Sequence, residues 1–169
     1  YMRLKIFLFF LSFCNFSMAS EFMPFDMNTR KAIEQRYSDQ SLIISFWSID
    51  CPYCIDDLKK LGKALTKNTK VKLVTVCVDG KESAKKAERI LNQAHLPEHE
   101  RYQYAEADED KLRYSIDPAW YGELPRTYFY DVNHQITPLS GKISNSFLRK
   151  LVYIVNILRL DYLCVFRHK

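Results

Sequence analysis

The sequence lacks a long hydrophobic run. Its apolar stretch from Ile6 to about Phe16 is roughly half of the ~20 residues that a transmembrane helix requires. A short basic start at Arg3 and Lys5 precedes this stretch, and small residues near Ala19 follow it. This order is typical of a secretory signal peptide. We therefore predict a leader over residues 1–19, a mature chain over 20–169, and membrane contact only through an uncleaved leader.

A strong charge of one sign is also absent. The formal net charge is +5, and loss of two basic residues with the leader leaves +3. This charge is too weak and too scattered to indicate binding to nucleic acid. Repeats and low-complexity linkers are absent too, and the composition is that of a globular protein with 47% hydrophobic residues. The length predicts one domain with its own core.

A second Cys-x-x-Cys is missing, so the single motif Cys51-Pro52-Tyr53-Cys54 supplies only two of the four ligands of a structural zinc site. The motif follows a run of apolar β-formers, residues 41–47, and precedes a helical pattern over 55–61. Such a strand, leading into Cys-x-x-Cys at the start of a helix, indicates a thioredoxin-like redox centre. A metal half-site and an inert structural disulfide are the alternatives.

The remaining elements follow from periodicity and from turn signals. We expect a short helix before the first strand, a second β-run at 71–78, a basic amphipathic helix at 81–95, and a short strand at 102–105. A further helix starts at the acids 108–110, where the helix dipole favours negative charge. A hairpin over 126–140 and a last helix capped by Ser144 or Ser146 complete the pattern.

This order of elements, together with three sequence matches, resembles the exported thioredoxin-like proteins of the TlpA, ResA and CcmG type. The matches are the Phe46-Trp47 strand end with its Cys-x-x-Cys, the segment Val74-Thr75-Val76 before Asp79, and Leu124-Pro125-Arg126-Thr127. The combination is far more specific than any one part. The resemblance covers residues 41–158. It implies an α/β thioredoxin-like fold with a mixed sheet of four or five strands flanked by helices, and with an inserted helix-strand unit.

The resemblance also implies roles for individual residues. Cys51 is the attacking thiolate and Cys54 the resolving thiol. Asp57 is either the group that moves the proton of Cys54 or a solvated helix acid. Leu124 and Pro125 form a cis peptide that faces the disulfide and pairs with substrate. The expected substrate-binding residues are Leu124, Pro125, Trp47 and Tyr53; Trp120 and Tyr121 either rim the same groove or pack in the core.

Three positions depart from the pattern of that family. Asp50 stands where a Trp usually precedes the first cysteine, and its charge opposes formation of the Cys51 thiolate. Ser45 stands where thioredoxin keeps a buried Asp, and Arg126 stands where the CcmG branch has Glu. A role in cytochrome c maturation is therefore not expected. Cys77 is interpreted as a buried small hydrophobe, and Cys164 has no assigned role.

We expect an extracytoplasmic, periplasmic or secreted, thiol-disulfide oxidoreductase without a cofactor. Its expected partners are protein thiols and disulfides and an upstream membrane or periplasmic electron donor. No His lies between the cysteines to stabilise the thiolate, which favours a reductant or exchange catalyst over a strong oxidant. Two alternatives remain: a glutathione-dependent, glutaredoxin-like reductase, suggested by Cys-Pro-Tyr-Cys, and a Cu(I) carrier that uses Cys51, Cys54 and His134.

Overall fold

The computed structural model describes residues 22–66, 70–106 and 108–149. Six strands form one sheet in the order β1-β4-β3-β2-β5-β6. Strands β1 to β4 are mutually parallel, whereas β5 runs antiparallel to both β2 and β6. The strands are β1 (Met23–Phe25), β2 (Leu42–Trp47), β3 (Lys72–Cys77), β4 (Glu100–Tyr104), β5 (Arg126–Tyr130) and β6 (Ile136–Ser140).

Helices cover both faces of this sheet. They are α1 (Thr29–Arg36), α2 (Pro52–Leu65), α3 (Ala84–Gln93), which follows a short 3₁₀ turn (Lys81–Ser83), and α4 (Glu109–Ile116). Residues 145–149 are the described part of a last helix, α5. The mixed sheet, the inserted unit of α3 and β4, and the preceding helix α1 confirm the predicted fold class.

The core forms because side chains of β2 alternate between two buried faces. Ile44 and Phe46 pack with side chains of α1 and α4, whereas Ile43 and Trp47 pack on the opposite face with side chains of α2 and α3. All six residues of β2 are buried, as expected for a central strand covered on both sides. Helix α2, which carries the motif, is therefore fixed on the middle of the sheet.

The predicted number of strands was wrong, because β1 was not foreseen. This strand pairs with β4 along one edge, and Phe25 is its only buried residue. Pro24 occurs in it, which is tolerated because proline is compatible with an edge position. The sheet therefore begins at Met23, well before the core boundary predicted at residue 41.

Predictions for the two ends of the chain concern the leader, the last helix and Cys164. Ser144 begins α5, since its Oγ accepts a hydrogen bond from the Phe147 N–H at 3.1 Å. The predicted leader, the rest of the last helix and Cys164 lie outside the described residues. Among the residues described, no helix has both the length and the apolar character needed to cross a membrane.

Candidate active site

Cys51 and Cys54 form a disulfide at the beginning of α2, with their Cα atoms 5.3 Å apart. Cys51 is the N-cap residue, and its Sγ accepts a hydrogen bond from the Cys54 N–H at 3.1 Å. Pro52 begins the helix, at a position where no backbone N–H is needed. The positive end of the helix dipole therefore lies at Cys51, where it favours a thiolate.

The two sulfurs differ in exposure. Cys54 is 1% exposed and packs with Leu58 and Trp47 in the core. Cys51 is only partly buried. A molecule arriving from solution therefore meets Cys51 first, and Cys54 is accessible only through Cys51.

The other residues of the predicted substrate site separate into two groups. Trp47 is fully buried, so its predicted contact with substrate is wrong: no part of its side chain reaches the surface, and it packs beneath the disulfide. Trp120 is also buried, with its ring centroid 5.2 Å from that of Phe46. Tyr53 is 52% exposed and Tyr121 is exposed as well. Of the four aromatic residues expected at the groove, only these two tyrosines offer surface to a partner.

The Leu124-Pro125 peptide bond is cis, as the resemblance implies. Leu124 packs against the cluster that contains both cysteines, so this loop lies beside the disulfide. The Pro125 carbonyl accepts a hydrogen bond from the Gly141 N–H at 2.8 Å, which fixes the loop to the end of β6. The structure therefore brings Leu124 and Pro125 to the motif.

Asp57 is buried, with 1% exposure, so the alternative of a solvated helix acid was wrong. Its Oδ1 accepts a hydrogen bond from Lys60 Nζ at 2.9 Å, and its Oδ2 accepts one from the Ile143 N–H at 2.7 Å. Lys60 also donates to the Ile143 carbonyl at 2.9 Å. This carboxylate lies one helical turn beyond Cys54, on the inner face of α2.

Gly141 makes this arrangement possible. Its φ of +84° is a conformation that favours glycine, and it turns the chain after β6 so that Ile143 reaches α2. The same turn places the Lys142 ammonium 3.8 Å from the centre of the Tyr53 ring, a distance typical of a cation–π contact. Sequence reasoning missed Lys142, and no signal indicated it, because the contact depends on a turn far along the chain.

The charge of Asp50 is partly compensated. Its Oδ1 lies 2.7 Å from Lys86 Nζ on α3, and both side chains are largely exposed. This pair connects the inserted helix to the residue that precedes Cys51. The predicted effect of Asp50 on the neighbouring thiol is therefore opposed by a nearby cation.

His134 is far from the motif. It lies in the turn after β5, and the end of β5 pairs with the start of β2, whereas the cysteines follow the end of β2. Its Nε2 is 2.6 Å from the Tyr37 carbonyl oxygen. The proposed Cu(I) site that includes His134 is therefore wrong. His134 lies near the start of β2, whereas the two cysteines follow the end of β2. Within the described ranges, no three potential metal-ligating residues come together.

Cys77 is buried as predicted, but it also has a polar contact. Its Sγ lies 3.2 Å from Oδ2 of Asp79, and burial together with this carboxylate raises the pKa of the thiol to about 12. Asp79 also accepts hydrogen bonds from Ser48 and Ile49, which lie just before Cys51. Sequence reasoning assigned no function to Asp79, although its position at the end of a strand parallel to β2 places it at the edge of the sheet where the motif lies.

No family model and no curated protein matches the sequence. Solved structures do match the fold. A secreted Mycobacterium tuberculosis disulfide oxidoreductase homologous to E. coli DsbE is 16% identical, with a TM-score of 0.51 over 71% of this chain and 84% of that one. A thioredoxin-family thiol:disulfide interchange protein from Chlorobium tepidum is 10% identical, with a TM-score of 0.57 over 72% and 83%.

A thioredoxin-related protein from Neisseria meningitidis serogroup B is 17% identical, with a TM-score of 0.56 over 72% of this chain and 89% of that one. At these identities the likeness establishes the thioredoxin-like fold.

Proposed function

We propose that this protein is a thiol-disulfide oxidoreductase that exchanges disulfides with protein substrates through Cys51 and Cys54. One observation carries the proposal: the two cysteines form a disulfide at the N-terminus of α2, with Cys51 partly exposed and Cys54 buried. A structural disulfide gains nothing from this asymmetry. An exchange reaction requires this asymmetry, because the exposed sulfur reacts with the substrate and the buried sulfur then resolves the mixed disulfide.

In the reduced protein, the Cys51 thiolate attacks one sulfur of a substrate disulfide. A Cys51-substrate disulfide forms, and the other substrate sulfur leaves as a thiolate that takes up a proton. The Cys54 thiol then loses its proton and attacks Cys51 Sγ, which releases the second substrate thiolate. The substrate gains two electrons, and the protein returns to the Cys51–Cys54 disulfide. A donor dithiol restores the reduced form by the same steps in reverse.

Asp57 is the group proposed to accept the Cys54 proton. It is the buried acid one turn further along the same face of α2, and buried carboxylates are suitable general bases when they lie within reach of the thiol. Its second task is structural, because it holds the Ile143 N–H and the Lys60 ammonium.

Substrate docking is assigned to the surface around Cys51. The backbone of Leu124 beside the cis proline and the exposed face of Tyr53 border the disulfide. An extended substrate segment that pairs with the Leu124 backbone places its own disulfide near Cys51 Sγ. Trp47 contributes only packing beneath this surface.

We assign the protein to an extracytoplasmic compartment, with residues 1–19 as its leader. Secreted compartments permit substrate disulfides to persist. The absence of a His between the cysteines favours a reductant or exchange catalyst, supplied by a membrane or periplasmic electron donor. Mass spectrometry of the exported protein tests the leader: a mature chain is expected to start at Ser20 or Glu21, and an intact N-terminus contradicts the assignment.

The test of the exchange reaction uses two cysteine variants in the producing cells. Cys51→Ser is expected to abolish exchange, whereas Cys54→Ser retains the attacking thiol and accumulates mixed disulfides with its substrates. Cys164→Ser, which also removes one thiol, is the matched control and is expected to exchange like the parent protein. Accumulation of mixed disulfides on Cys51→Ser, or on neither variant, contradicts the proposal.

A further inference from the structure

The ends of β2 and β3 meet where the motif begins. The two strands are parallel and in register, with Trp47 opposite Cys77. The residues that follow each strand therefore emerge side by side at one edge of the sheet. Ser48 and Ile49 lead from β2 to Cys51, and Asp79 follows β3. The Val78 N–H donates to the Trp47 carbonyl at 2.9 Å, which extends the pairing to the point where the loops diverge.

The carboxylate of Asp79 accepts three hydrogen bonds at this point. Its Oδ1 accepts from the Ser48 hydroxyl at 3.0 Å. Its Oδ2 accepts from the Ile49 N–H at 2.8 Å and from the Cys77 thiol at 3.2 Å. All three donors are uncharged, and hydrogen bonds to an ionised acceptor are the stronger ones.

The network continues from Ser48 to the motif. The Ser48 Oγ accepts a hydrogen bond from the Asp50 N–H at 3.2 Å, and the Ser48 carbonyl accepts one from the Cys51 N–H at 3.2 Å. Each residue of the loop from Ser48 to Cys51 is thus bonded to Asp79 directly or through Ser48. The loop has no other direct hydrogen bond from β3 or the turn after it among the described residues.

The third donor to Asp79 is a buried thiol. Cys77 is fully buried, and burial raises the pKa of its thiol to about 12. The Cys77 thiol is therefore a neutral S–H donor at neutral pH. It binds Oδ2 of Asp79, whereas the Ser48 hydroxyl binds Oδ1.

We infer that Asp79 is a positioning residue for disulfide exchange: it holds the loop from Ser48 to Cys51 so that Cys51 Sγ meets a docked substrate disulfide in line. This inference rests on the proposed function. A negative charge near the nucleophile opposes formation of its thiolate, so its contribution is the geometry of the loop. Attack on a disulfide demands alignment of three sulfurs, and a displacement of ~1 Å at a reacting centre can reduce a rate by about a hundredfold.

The test compares two reagents on reduced protein, each followed over a pH range that reaches the plateau where Cys51 is fully ionised. A peptide closed by a disulfide requires docking and alignment, whereas iodoacetamide approaches the thiolate from any open direction. In Asp79→Ala, the plateau rate with the peptide is expected to fall roughly tenfold or more, and the alkylation plateau to stay within about twofold. Asp79→Asn retains one acceptor oxygen and is expected to recover most of the peptide rate.

Asp131→Ala is the matched control. Asp131 also accepts backbone N–H groups, from Asn133 and Gln135, but in the turn at the opposite edge of the sheet. It is expected to leave both plateaus unchanged. An unchanged peptide rate in Asp79→Ala, an equal fall with both reagents, or no recovery in Asp79→Asn overturns the inference.

Failure of the proposed function has a different signature, because the parent protein then exchanges no disulfide at all. Hydrogen exchange of the Ile49 N–H still decides whether Asp79 holds the loop. Exchange of this amide is expected to accelerate at least tenfold in Asp79→Ala and to stay unchanged in Asp131→Ala. Equal protection in Asp79→Ala overturns the holding role on its own.

Discussion

Lys86 is a charged side chain that the structure places beside Asp50, the residue before Cys51. Sequence reasoning considered Asp50 alone and predicted that its charge disfavours the thiolate. Because Lys86 lies 2.7 Å from its carboxylate, the two charges act on the thiol in opposite directions. Both side chains are largely exposed, so water and salt screen each of them.

We predict that Asp50→Asn lowers the pKa of the reduced Cys51 thiol and that Lys86→Gln raises it. Each change is expected to alter the alkylation rate near neutral pH by less than about threefold at low salt, and by less still in ~1 M salt, where the Debye length is about 3 Å. Thiolate absorbance against pH measures both variants. Shifts in the same direction would show that the pair does not act through charge.

Asp57 has either a catalytic or a structural role. Its carboxylate is buried, and both of its oxygens accept hydrogen bonds. We predict that Asp57→Asn leaves the first attack by Cys51 nearly unchanged and slows release of substrate from the mixed disulfide by about tenfold or more at pH 7, since general bases contribute roughly 10²–10⁴-fold. Stopped-flow measurement of substrate release separates the two steps. The slowing is expected to diminish above about pH 8.5, where an unperturbed thiol ionises unaided.

Asp56→Asn is the control for this variant, because Asp56 is the adjacent residue on α2 but is exposed. It is expected to release substrate like the parent protein. If Asp57→Asn also releases substrate at the parent rate, Asp57 is a structural residue that joins α2 to Ile143 and takes no part in proton transfer.

At the scale of elements, the loop between α4 and β5 is held by an ion pair. Arg126, the first residue of β5, donates to Asp117 Oδ2 at 2.6 Å, and Tyr128 donates to the same oxygen at 3.0 Å. Burial raises the pKa of the Asp117 carboxyl, but hydrogen bonds from the Ala119 N–H and Arg126 outweigh it and hold this pKa below its usual value. Arg126, at the position where the CcmG branch has Glu, thus has Asp117 as its ion-pair partner.

We predict that Asp117→Asn and Arg126→Met each lower the free energy of unfolding by about 1.5–3 kcal/mol, the usual value for hydrogen bonds to charged groups. The double variant is expected to lose less than the sum of the two, because the partners act on each other. Denaturant unfolding of the four proteins gives the coupling energy. Additive losses would show that the two side chains stabilise the loop independently.

Elements with strong periodic patterns were predictable, and β1 was not. Strands β2 and β3 have long apolar patterns, and their predicted bounds lie within one residue of the observed ones. The amphipathic pattern predicted a helix over 81–95, and α3 spans Ala84–Gln93 after a 3₁₀ turn. Strand β1 has three residues, includes a proline, and buries only Phe25. Nothing in so short a segment distinguishes it from a loop. Its structure depends on pairing with β4, which lies almost 80 positions further along the chain.

The same distinction holds for the site. The two cysteines were predictable from a local motif, whereas the cis Leu124-Pro125 bond was expected only from the resemblance to a known family. The burial of Asp57 was not predictable, because it depends on Ile143 arriving from 86 positions away. The contacts of Asp79 were not foreseen for a similar reason: they require the register between β2 and β3. Local patterns identify the reactive atoms, and the packing of distant segments decides what surrounds them.

At the scale of the whole molecule, Glu100 joins the N-terminal segment to the sheet. This residue of β4 lies 2.7 Å from Arg36 Nη1 at the end of α1 and accepts hydrogen bonds from the hydroxyls of Tyr37 at 2.5 Å and Tyr102 at 2.7 Å. Burial raises the pKa of Glu100, but hydrogen bonds from the two tyrosines and Arg36 outweigh it, so this pKa lies below the usual value of 4.5.

A carboxyl group whose pKa is lower in the folded state stabilises the fold above its unfolded pKa, and this contribution is lost as the pH falls through the folded pKa. We predict that Glu100→Gln lowers the free energy of unfolding by about 1.5–3 kcal/mol at pH 7, and that the difference from the parent narrows as the pH falls below about 4.5. Urea unfolding at a series of pH values measures this difference in the free energy of unfolding.

Glu98→Gln, at an exposed position two residues earlier, is expected to unfold like the parent at every pH. A difference for Glu100→Gln that stays constant down to pH 2 would mean that the side chain stabilises the fold by packing, because a contribution from its charge has to disappear once the carboxylate is protonated.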